Sequence, residues 1–405
     1  MKPRVIFTAC FFLTSCTGAT NAPTVDFEAP RPVLADRTHD SSGPQMFFTP
    51  SGHLYLLAGV KHGRKTGLDL FISKSGGDTF DETVHVASPS YDAMTMGEMS
   101  PVLVEDPAGP SMDVLFQGAN GKLYFDRTKL FSHKFPTPVD VVKKSEPSEN
   151  GFATMALSPK GVLYVAWLDG RASDRNPPNT FSIYVARSLN HGKTFETPVK
   201  VDGSTCPCCR PAFAFGADGT VYVAWRKDYP GNFRDIVVAS SQNGGTFSEP
   251  VRVAQDGWSL EGCPDSGPSM TVNDGHLYVA WYTQGSKNIP QIEVAHTDDM
   301  KTFSQPSVIS SDVLDANHPR FVAGATVPML VFQGRSPSAG QWSPVTAFIA
   351  TIGPEGASKP VALQNASGSL TDPIAIMRDA QSMYLGADAE GGEGTQVVIS
   401  RGRLQ

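Results

Sequence analysis

Cysteines are concentrated in one short stretch of this 405-residue chain. The segment TCPCCRPAF at 205–213 holds Cys206, Cys208 and Cys209, and Cys263 stands alone in WSLEGCPDSGPS. Cys206 and Cys263 each lie five residues before a proline that opens a predicted strand, so they occupy matching places in adjacent units. We therefore expect all four cysteines to converge on one rim of the fold. Their chemistry has three alternatives: a disulfide, a soft-metal site or a catalytic thiol.

A disulfide would staple the rim. Cys206 or Cys208 would pair with Cys263 and tie two adjacent units together, and the other two cysteines would pair or stay free. Cys208 and Cys209 are sequence neighbours, and a disulfide between neighbours is strained and easily reduced. An oxidising compartment outside the cytosol favours at least one such bond.

A soft-metal site would use the same sulfur atoms. Three methionines crowd the neighbouring loop DAMTMGEMSP, and two histidines lie on other loops of the same rim. Thiolate, thioether and imidazole ligands together suit copper, especially Cu(I), whereas zinc gains nothing from methionine. One disulfide and one metal-binding thiol pair can coexist. The predicted ligands are Cys206, Cys208, Cys209, Cys263, Met94, Met96, Met99 and His318, with His39 on a further loop.

A catalytic thiol is the third alternative. Arg210 follows Cys209 directly and could lower the pKa of that thiol. The chain has no C-x-x-C beside a βαβ pattern, so thioredoxin-like exchange lacks its scaffold.

The N-terminal residues predict export. In MKPRVIFTACFFLTSCTG a short basic start precedes an apolar stretch that is too short to span a bilayer as a stable helix. Its end, LTSC, resembles the lipobox of bacterial lipoproteins, in which the peptidase cuts before the Cys and lipid is then attached to it. The resemblance implies a signal peptide at 1–15, a lipidated Cys16 and a short tether at 16–24. Thr17, not Asp, follows this Cys, so the resemblance implies the outer-membrane side of a Gram-negative envelope. Ordinary secretory cleavage near a Cys is the alternative.

Charge excludes some classes of partner. The chain has 33 basic and 40 acidic residues and a formal charge of −7, which loss of the basic start would make more negative. This balance argues against binding to nucleic acid or to an anionic lipid surface. No later segment is a continuous apolar run of membrane length, so we expect lipid to be the sole membrane attachment. The expected protein is a monomer with a small-molecule, glycan or protein ligand.

The chain repeats with a period of about 55 residues. GHLYLLAG, GVLYVAWLDG, GTVYVAWRKD and GHLYVAWYTQG share one pattern, and MDVLFQG, PMLVFQG and SMYLGAD are weaker copies, seven in all. Short strands at this period predict an all-β, seven-bladed β-propeller with four strands per blade, in one domain at 25–405. The last unit lacks an outer strand, and VDFEAPRPVLAD at 25–36 looks like the outer strand at 246–256. The N-terminal segment is therefore predicted to close the last blade and remove its edge.

Four turns carry the most specific pattern: SKSGGDTF, SLNHGKTF, SSQNGGTF and HTDDMKTF. They resemble the Asp-box, S-x-D-x-G-x-T-W/F, with the Asp position filled by Ser75, Asn190, Gln242 and Asp298. A short polar side chain there can cap the turn, and the Gly supplies a positive φ. By these turns, residues 25–403 resemble the BNR/Asp-box sialidase-like propellers. In that family the boxes are structural and lie away from the ligand site.

The resemblance also implies catalytic residues. Sialidases of this family have six blades, three arginines that clamp the sialate carboxylate, a Tyr nucleophile with a Glu partner, and an Asp acid/base. Their first Arg lies in an R-I-P motif, and here that place reads SSGPQMFFTP, without the Arg. The candidates that remain are Arg210 and Arg320 at the starts of inner strands, with Tyr229 and Asp228 for the chemistry. Further rim candidates are Arg171, Arg175, Arg226, Arg234, Arg335, Asp169, Asp174, Asp235 and Tyr282.

Together these patterns favour a ligand-binding protein over an enzyme. We expect a lipid-anchored propeller of the bacterial envelope whose cysteine-bearing face recognises its ligand, with a copper-type metal as the leading specific candidate. A sialidase-type exo-glycosidase is the main alternative, and a non-catalytic scaffold of an envelope assembly is the second.

Overall fold

The computed structural model describes residues 25–34, 40–106, 109–132, 134–142, 150–171, 181–353, 356–363, 368–391 and 394–405. Regular structure in these ranges consists of β-strands and four short 3-10 turns. Within the same ranges, no helix is long and apolar enough to cross a membrane. Three of the predicted features lie outside them: the segment 1–24 with Cys16, the residue His39, and the pair Asp174 and Arg175.

The strands follow one another as antiparallel meanders, each running from an inner to an outer strand. Two short strands come first: β1 Val25–Phe27 and β2 Arg31–Pro32. The next meanders are β3 Ser41–Phe48, β4 Leu54–His62, β5 Lys65–Ser73, β6 Glu82–Ala87; β7 Val102–Asp106, β8 Ser111–Gln117, β9 Leu123–Lys129, β10 Val139–Asp140; and β11 Asn150–Leu157, β12 Leu163–Asp169, β13 Phe181–Ser188, β14 Val199–Thr205.

The second half of the chain repeats this order. Its strands are β15 Ala212–Phe215, β16 Val221–Tyr229, β17 Phe233–Ser241, β18 Val251–Arg252; β19 Ser269–Asn273, β20 His276–Thr283, β21 Gln291–Thr297, β22 Ser307–Val308; β23 Leu314–Phe321, β24 Met329–Arg335, β25 Thr346–Gly353, β26 Gly356–Ala357, β27 Val361–Ala362; and β28 Ser369–Asp379, β29 Ser382–Gly391, β30 Gly394–Leu404. Pairing of Thr205 with Lys227 joins β11–β14 and β15–β18 into one sheet.

The LYVAW strands lie between neighbouring sheets. All seven residues of β12, Leu163–Asp169, are buried, as expected for a strand covered on both faces. The hydrophobic cores between sheets combine residues of two successive meanders. Three of these cores each contain one fully buried tryptophan: Trp167, Trp225 or Trp281. Burial of apolar area between successive sheets therefore holds the sheets face to face.

The last meander packs against the first, and the ring closes. Leu54 and Leu56 share one core with Tyr384 and Ile399, and the amide of Gly43 donates to both carboxylate oxygens of Asp388 at 3.0 and 3.1 Å. β1 and β2 pair with β30, in the register Val25 to Leu404 and Arg31 to Ile399. The N-terminal segment thus covers the edge of the last meander, which is the closure that the sequence suggested. The fold is an all-β ring of antiparallel sheets, a β-propeller.

Two of the Asp-box turns are capped at the expected residue. Ser75 Oγ accepts the amide of Thr79 at 2.9 Å, and Asn190 Oδ1 accepts the amide of Thr194 at 3.0 Å. A side chain at the Asp position therefore stabilises both turns, as in the family pattern.

In the other two turns the capping residue is the one that follows the predicted residue, which corrects the sequence assignment. Asn243 accepts the amide of Gly245 at 2.8 Å, and Asp299 accepts those of Lys301 and Thr302 at 2.8 and 3.1 Å. The residues predicted to cap these turns bond elsewhere: Gln242 donates to Thr220 at 2.9 Å, and Asp298 bonds to His276 at 2.5 Å.

The inner strands bulge near their beginnings. Gly43, Phe152, His318 and Asp372 have φ values of 68°, 53°, 53° and 51°, and the pairing register shifts at each of them. Left-handed backbone is strained for the three residues other than glycine, and such strain and such bulges recur beside functional sites. These four positions mark the end of the ring at which the candidate site lies.

Candidate functional site

Glu98 is the buried centre of a charged group at this end of the ring. It lies in the 3-10 turn Gly97–Met99 before β7 and is 1% exposed. Its Oε2 accepts the backbone amides of Arg210 at 2.9 Å and Gly267 at 3.1 Å, and its Oε1 bonds to Arg320 at 3.1 Å. One carboxylate therefore joins four meanders. We call Glu98, Arg210, His318, Arg320 and Asp372 the axial cluster.

Opposite charges keep Glu98 ionised. Burial alone would favour its neutral form, but Arg320, His318 and Arg210 together hold its pKa below the ordinary value. Burial and the neighbouring Arg320 lower the pKa of Arg210 to about 10, so this side chain remains a cation at neutral pH. Its guanidinium donates to the carbonyl oxygens of Glu98, at 2.7 Å, and Ser100. The Arg210 side chain thus has a structural role, because its guanidinium is bonded to backbone carbonyl oxygens.

Three members of the axial cluster are only partly buried. The side chains of Arg320, His318 and Asp372 are 24%, 14% and 19% exposed. His318 Nδ1 bonds to Asn317 Oδ1 at 2.6 Å, while Nε2 has no hydrogen-bond partner and lies 3.9 Å from Asp372 Oδ1. A buried imidazole nitrogen without a partner leaves one hydrogen-bonding group of the cluster unused.

The cysteine cluster lies beside Arg210. Cys208 and Cys263 form a disulfide, and Cys206 and Cys209 are free and buried. Cys209 Sγ is 3.6 Å from Cys206 Sγ, and Cys206 Sγ is 3.8 Å from Cys208 Sγ, with Phe152 packed against the group. Of the four residues only Cys263 is exposed. A disulfide and a dithiol thus stand side by side.

The two thiols differ in acidity. The hydrogen bond from Cys209 outweighs burial and, together with the cations of Arg226 and Arg234, lowers the pKa of Cys206 to about 7. Burial raises the pKa of Cys209 well above its ordinary value. Cys206 is therefore the sulfur that ionises first.

Arg226 is a buried cation next to this dithiol. It is 1% exposed, and its backbone carbonyl accepts the amide of Cys206 at 2.9 Å. Its Nη2 donates to the carbonyl oxygens of Ser266 and Tyr282 at 3.0 and 2.8 Å, and the guanidinium lies 5.3 Å from the ring centroid of Trp258. Nε and Nη1 have no hydrogen-bond partner.

The structure divides the predicted metal-ligand set. Met96 is 72% exposed, which places its thioether in solvent while the cysteine sulfurs are buried. Met94 and Met99 are half-buried on the loop that carries Glu98, and His318 belongs to the axial cluster. Among the described His, Cys, Asp and Glu residues, the group at this rim whose ligand atoms lie within 4.8 Å of one another is Cys206, Cys208 and Cys209.

The catalytic candidates are divided in the same way. Arg210 and Arg320 meet at Glu98, whereas the ring of Tyr229 lies under Arg252 at 3.8 Å and Asp228 is ion-paired with Arg234 at 2.9 Å. Two other rim arginines are held by acids, Arg171 by Asp169 at 2.6 Å and Arg335 by Asp315 at 3.1 Å. Among the arginines that the structure describes, these contacts therefore assemble no triple clamp.

A cavity opens at the opposite end of the inner strands. Its volume is about 510 Å³, and it is lined among others by Phe48, Glu105, Met377, Arg378 and Asp379. It lies where β3, β7 and β28 end, while the axial cluster lies where they begin. The protein therefore has two separate candidate surfaces along its axis.

Sequence reasoning missed Glu98, the position of Asp372 beside His318 and the burial of Arg226. Glu98 was visible as an acidic residue between the methionines of the methionine-rich loop, in a segment that leads into an inner strand. Its importance depends on partners 112 to 222 residues away, for which local sequence carries no signal.

No protein-family model and no curated protein matches the chain. Solved structures do match. A lectin from Burkholderia pseudomallei has a TM-score of 0.60 at 11% identity, over 90% of this chain and 96% of that one. A polysaccharide lyase has a TM-score of 0.57 at 10% identity, over 89% of this chain and 90% of that one. A sialidase from Trypanosoma rangeli has a TM-score of 0.50 at 12% identity, over 94% of this chain and 60% of that one.

Similarity at this level of identity defines the fold class alone. The chain has a sialidase-like β-propeller fold, which solved proteins with carbohydrate-related names share.

Proposed function

We propose that the protein binds a glycan at the axial cluster and holds it without cleaving it. The observation that carries the proposal is the convergence of the partly buried Arg320, His318 and Asp372 around the buried Glu98. A guanidinium, an imidazole and a carboxylate side by side supply the donors and acceptors that sugar hydroxyl groups need. Glu98 fixes Arg320 in advance, which lowers the entropy cost of binding.

The similar structures support this choice of ligand class. They include a lectin and a polysaccharide lyase, which place glycan ligands on the same fold. The choice of ligand class depends on the side chains of the axial cluster, since one fold can host many functions.

Binding is preferred to hydrolysis because no catalytic couple is assembled from the described candidates. Glycoside cleavage uses paired carboxyl groups or a Tyr–Glu couple at a fixed separation. Tyr229 and Asp228 are each engaged by a basic residue, and Glu98 is held by two backbone amides. A sialidase-type activity therefore has no observation in its favour.

A glycan array probed with purified protein tests the proposal. Arg320→Ala should lower affinity for the bound glycan at least tenfold, because it removes the fixed donor while Glu98 keeps its bonds to Arg210 and Gly267. Arg378→Ala is the matched control at the opposite cavity and should bind like wild type. Loss of binding in Arg378→Ala alone, or no glycan bound by the wild type, would overturn the proposal.

We also propose that the ring has seven blades. The support is that the described strands group into seven meanders, of which the last comprises β28–β30 with β1 and β2. A crystal structure tests the count, and a ring of six or eight blades would contradict it.

A lipid anchor on Cys16 is the further part of the proposed function, based on the LTSC sequence. Lipid would hold the propeller at the bacterial outer membrane. Cys16→Ser should remove the protein from the membrane fraction of cells, and fractionation identical to wild type would exclude the anchor.

A further inference from the structure

We propose that Cys206 and Cys209 form a two-thiolate site for Cu(I), beneath an intact Cys208–Cys263 disulfide. The site adjoins the axial cluster at Arg210 but does not depend on the glycan proposal. The observations behind it are the donor set, its burial and the charge beside it.

The donor set selects a soft monovalent metal. The two free sulfurs are 3.6 Å apart and each residue is 1% exposed, and the third sulfur of the group, in Cys208, belongs to the disulfide. Zinc requires four ligands, which two thiolates do not provide. Magnesium, calcium and manganese prefer oxygen ligands, whereas thiolates select Cu(I). A two-coordinate Cu(I) ion uses the two available donors.

The buried charge of Arg226 complements such an ion. Binding of Cu⁺ to two thiols releases two protons and leaves a complex with a net charge of −1. A buried cation is costly unless an anion accompanies it, and Arg226 is 1% exposed with Nε and Nη1 unpartnered. Asp235 and Asp256 lie within electrostatic range of Arg226, but they accept other donors, among them the amide of Asp256 and the indole of Trp281.

Binding of Cu(I) at this site requires no electron transfer and no methionine ligand. Copper remains Cu(I), the disulfide is neither formed nor broken, and the two displaced protons go to solvent. Met96 is exposed and is not required as a ligand. The Cu(I) site thus differs from a combined cysteine–methionine site in a measurable way.

The experiment is an anaerobic competition between the full chain, with its disulfide intact, and a coloured Cu(I) chelator. Wild type should withdraw one copper per protein, and Cys206→Ser/Cys209→Ser should withdraw none. Met94→Leu/Met96→Leu should behave like wild type. His276→Ala/His296→Ala is the control for a second, more exposed group of ligands, His276, His296 and Asp298, and it too should retain the copper.

X-ray absorption on copper-loaded wild type keeps the test valid if the double cysteine variant does not fold. Two sulfur neighbours at the copper are expected. Four outcomes would overturn the proposal: no competition by wild type, copper retained by the double cysteine variant, nitrogen or oxygen neighbours at the metal, or mass spectrometry showing Cys206 and Cys209 oxidised in protein taken directly from cells. If Cys208 and Cys263 are reduced in the same sample, the last outcome would indicate thiol–disulfide exchange, in which the Cys208–Cys263 disulfide breaks as a Cys206–Cys209 disulfide forms.

Discussion

Glu98 and Arg210 are 112 residues apart in sequence and bond to each other through both main chain and side chain. The amide of Arg210 donates to Glu98 Oε2 at 2.9 Å, and its Nε donates to the Glu98 carbonyl oxygen at 2.7 Å. These two hydrogen bonds between distant meanders fix the loop that carries the cysteines relative to the loop that carries Glu98. The cysteine cluster and the axial cluster therefore share one support.

Replacing Glu98 should weaken the whole site. Glu98→Gln keeps the shape but leaves two buried or partly buried arginines without their anion, and removal of one partner of a buried pair costs about 3 kcal/mol or more. Urea unfolding measures the loss. Glu105→Gln is the control, because that carboxyl group is partly buried and burial already raises its pKa. Equal stability of Glu98→Gln and wild type would contradict the role of the carboxylate.

Gly267 should tolerate no side chain. A Cβ atom there would lie 2.1 Å from the carbonyl oxygen of Arg210 and 2.7 Å from Glu98 Oε2. We expect Gly267→Ala to shift the axial cluster and to lower the melting temperature by several degrees, as overpacking of about 1–3 kcal/mol would. Gly391→Ala is the control, since nothing lies within 4 Å of its Cβ position. A melting temperature unchanged in both variants would refute the close contact.

The disulfide should be a large contributor to stability. Cys208 and Cys263 are 55 residues apart, and in the loop-entropy account closure of such a loop stabilises by about 4 kcal/mol. Cys263→Ser should therefore lower the free energy of unfolding, and wild type in reductant should approach the variant. Chemical denaturation with and without reductant decides the matter. If reductant left the stability of wild type unchanged, the disulfide would not contribute to the free energy of unfolding as expected.

Removal of β1 and β2 should open the ring. Deletion of residues 25–34 uncovers the edge of β30 and removes Val25 and Val33 from the core. We expect a broad unfolding transition and association through the exposed edge. Calorimetry and light scattering test this, with a chain that begins at residue 25 as the control. A sharp transition in a monomeric deletion variant would count against closure by these strands.

Asp126 should make stability fall as pH rises. Burial raises its pKa to about 7, although its bond to the Arg127 amide acts in the opposite direction. Between the ordinary value of 3.8 and about 7, the native state keeps a proton that the unfolded state has released, so stability decreases with increasing pH in this window. Asp126→Asn should make the decrease shallower and gain roughly 1–2 kcal/mol at pH 8, while Asp113 and Glu293, whose pKa values burial also raises to about 7, keep part of the decrease.

A pH series of thermal melts checks the prediction for Asp126. The control is Asp274→Asn, an exposed residue with a φ of 49°, which Asn also tolerates. Parallel pH profiles of Asp126→Asn and wild type would show that this carboxyl group is ionised in the fold. Glu98 acts with the opposite sign, because its pKa is lowered and its contribution is lost only in acid.

The sequence by itself determined the local features of the fold. The LYVAW repeats, the Asp-box turns and the unmatched outer strand at 25–36 depend on periodicity and turn chemistry, which act over a few residues. The exceptions are the turns of Asn243 and Asp299, where two adjacent polar residues offered two capping registers and packing selected one.

Only the tertiary structure decided how the chemical groups combine. Which cysteine pairs with Cys263, which arginines meet at Glu98, and which cation lies beside the dithiol depend on contacts between meanders far apart in sequence. A residue type shows which chemistry is available, but burial and neighbouring charge determine whether that chemistry is used. Arg226 is one of several rim arginines in the sequence, and it becomes distinctive because the fold buries it with two unpartnered nitrogen atoms.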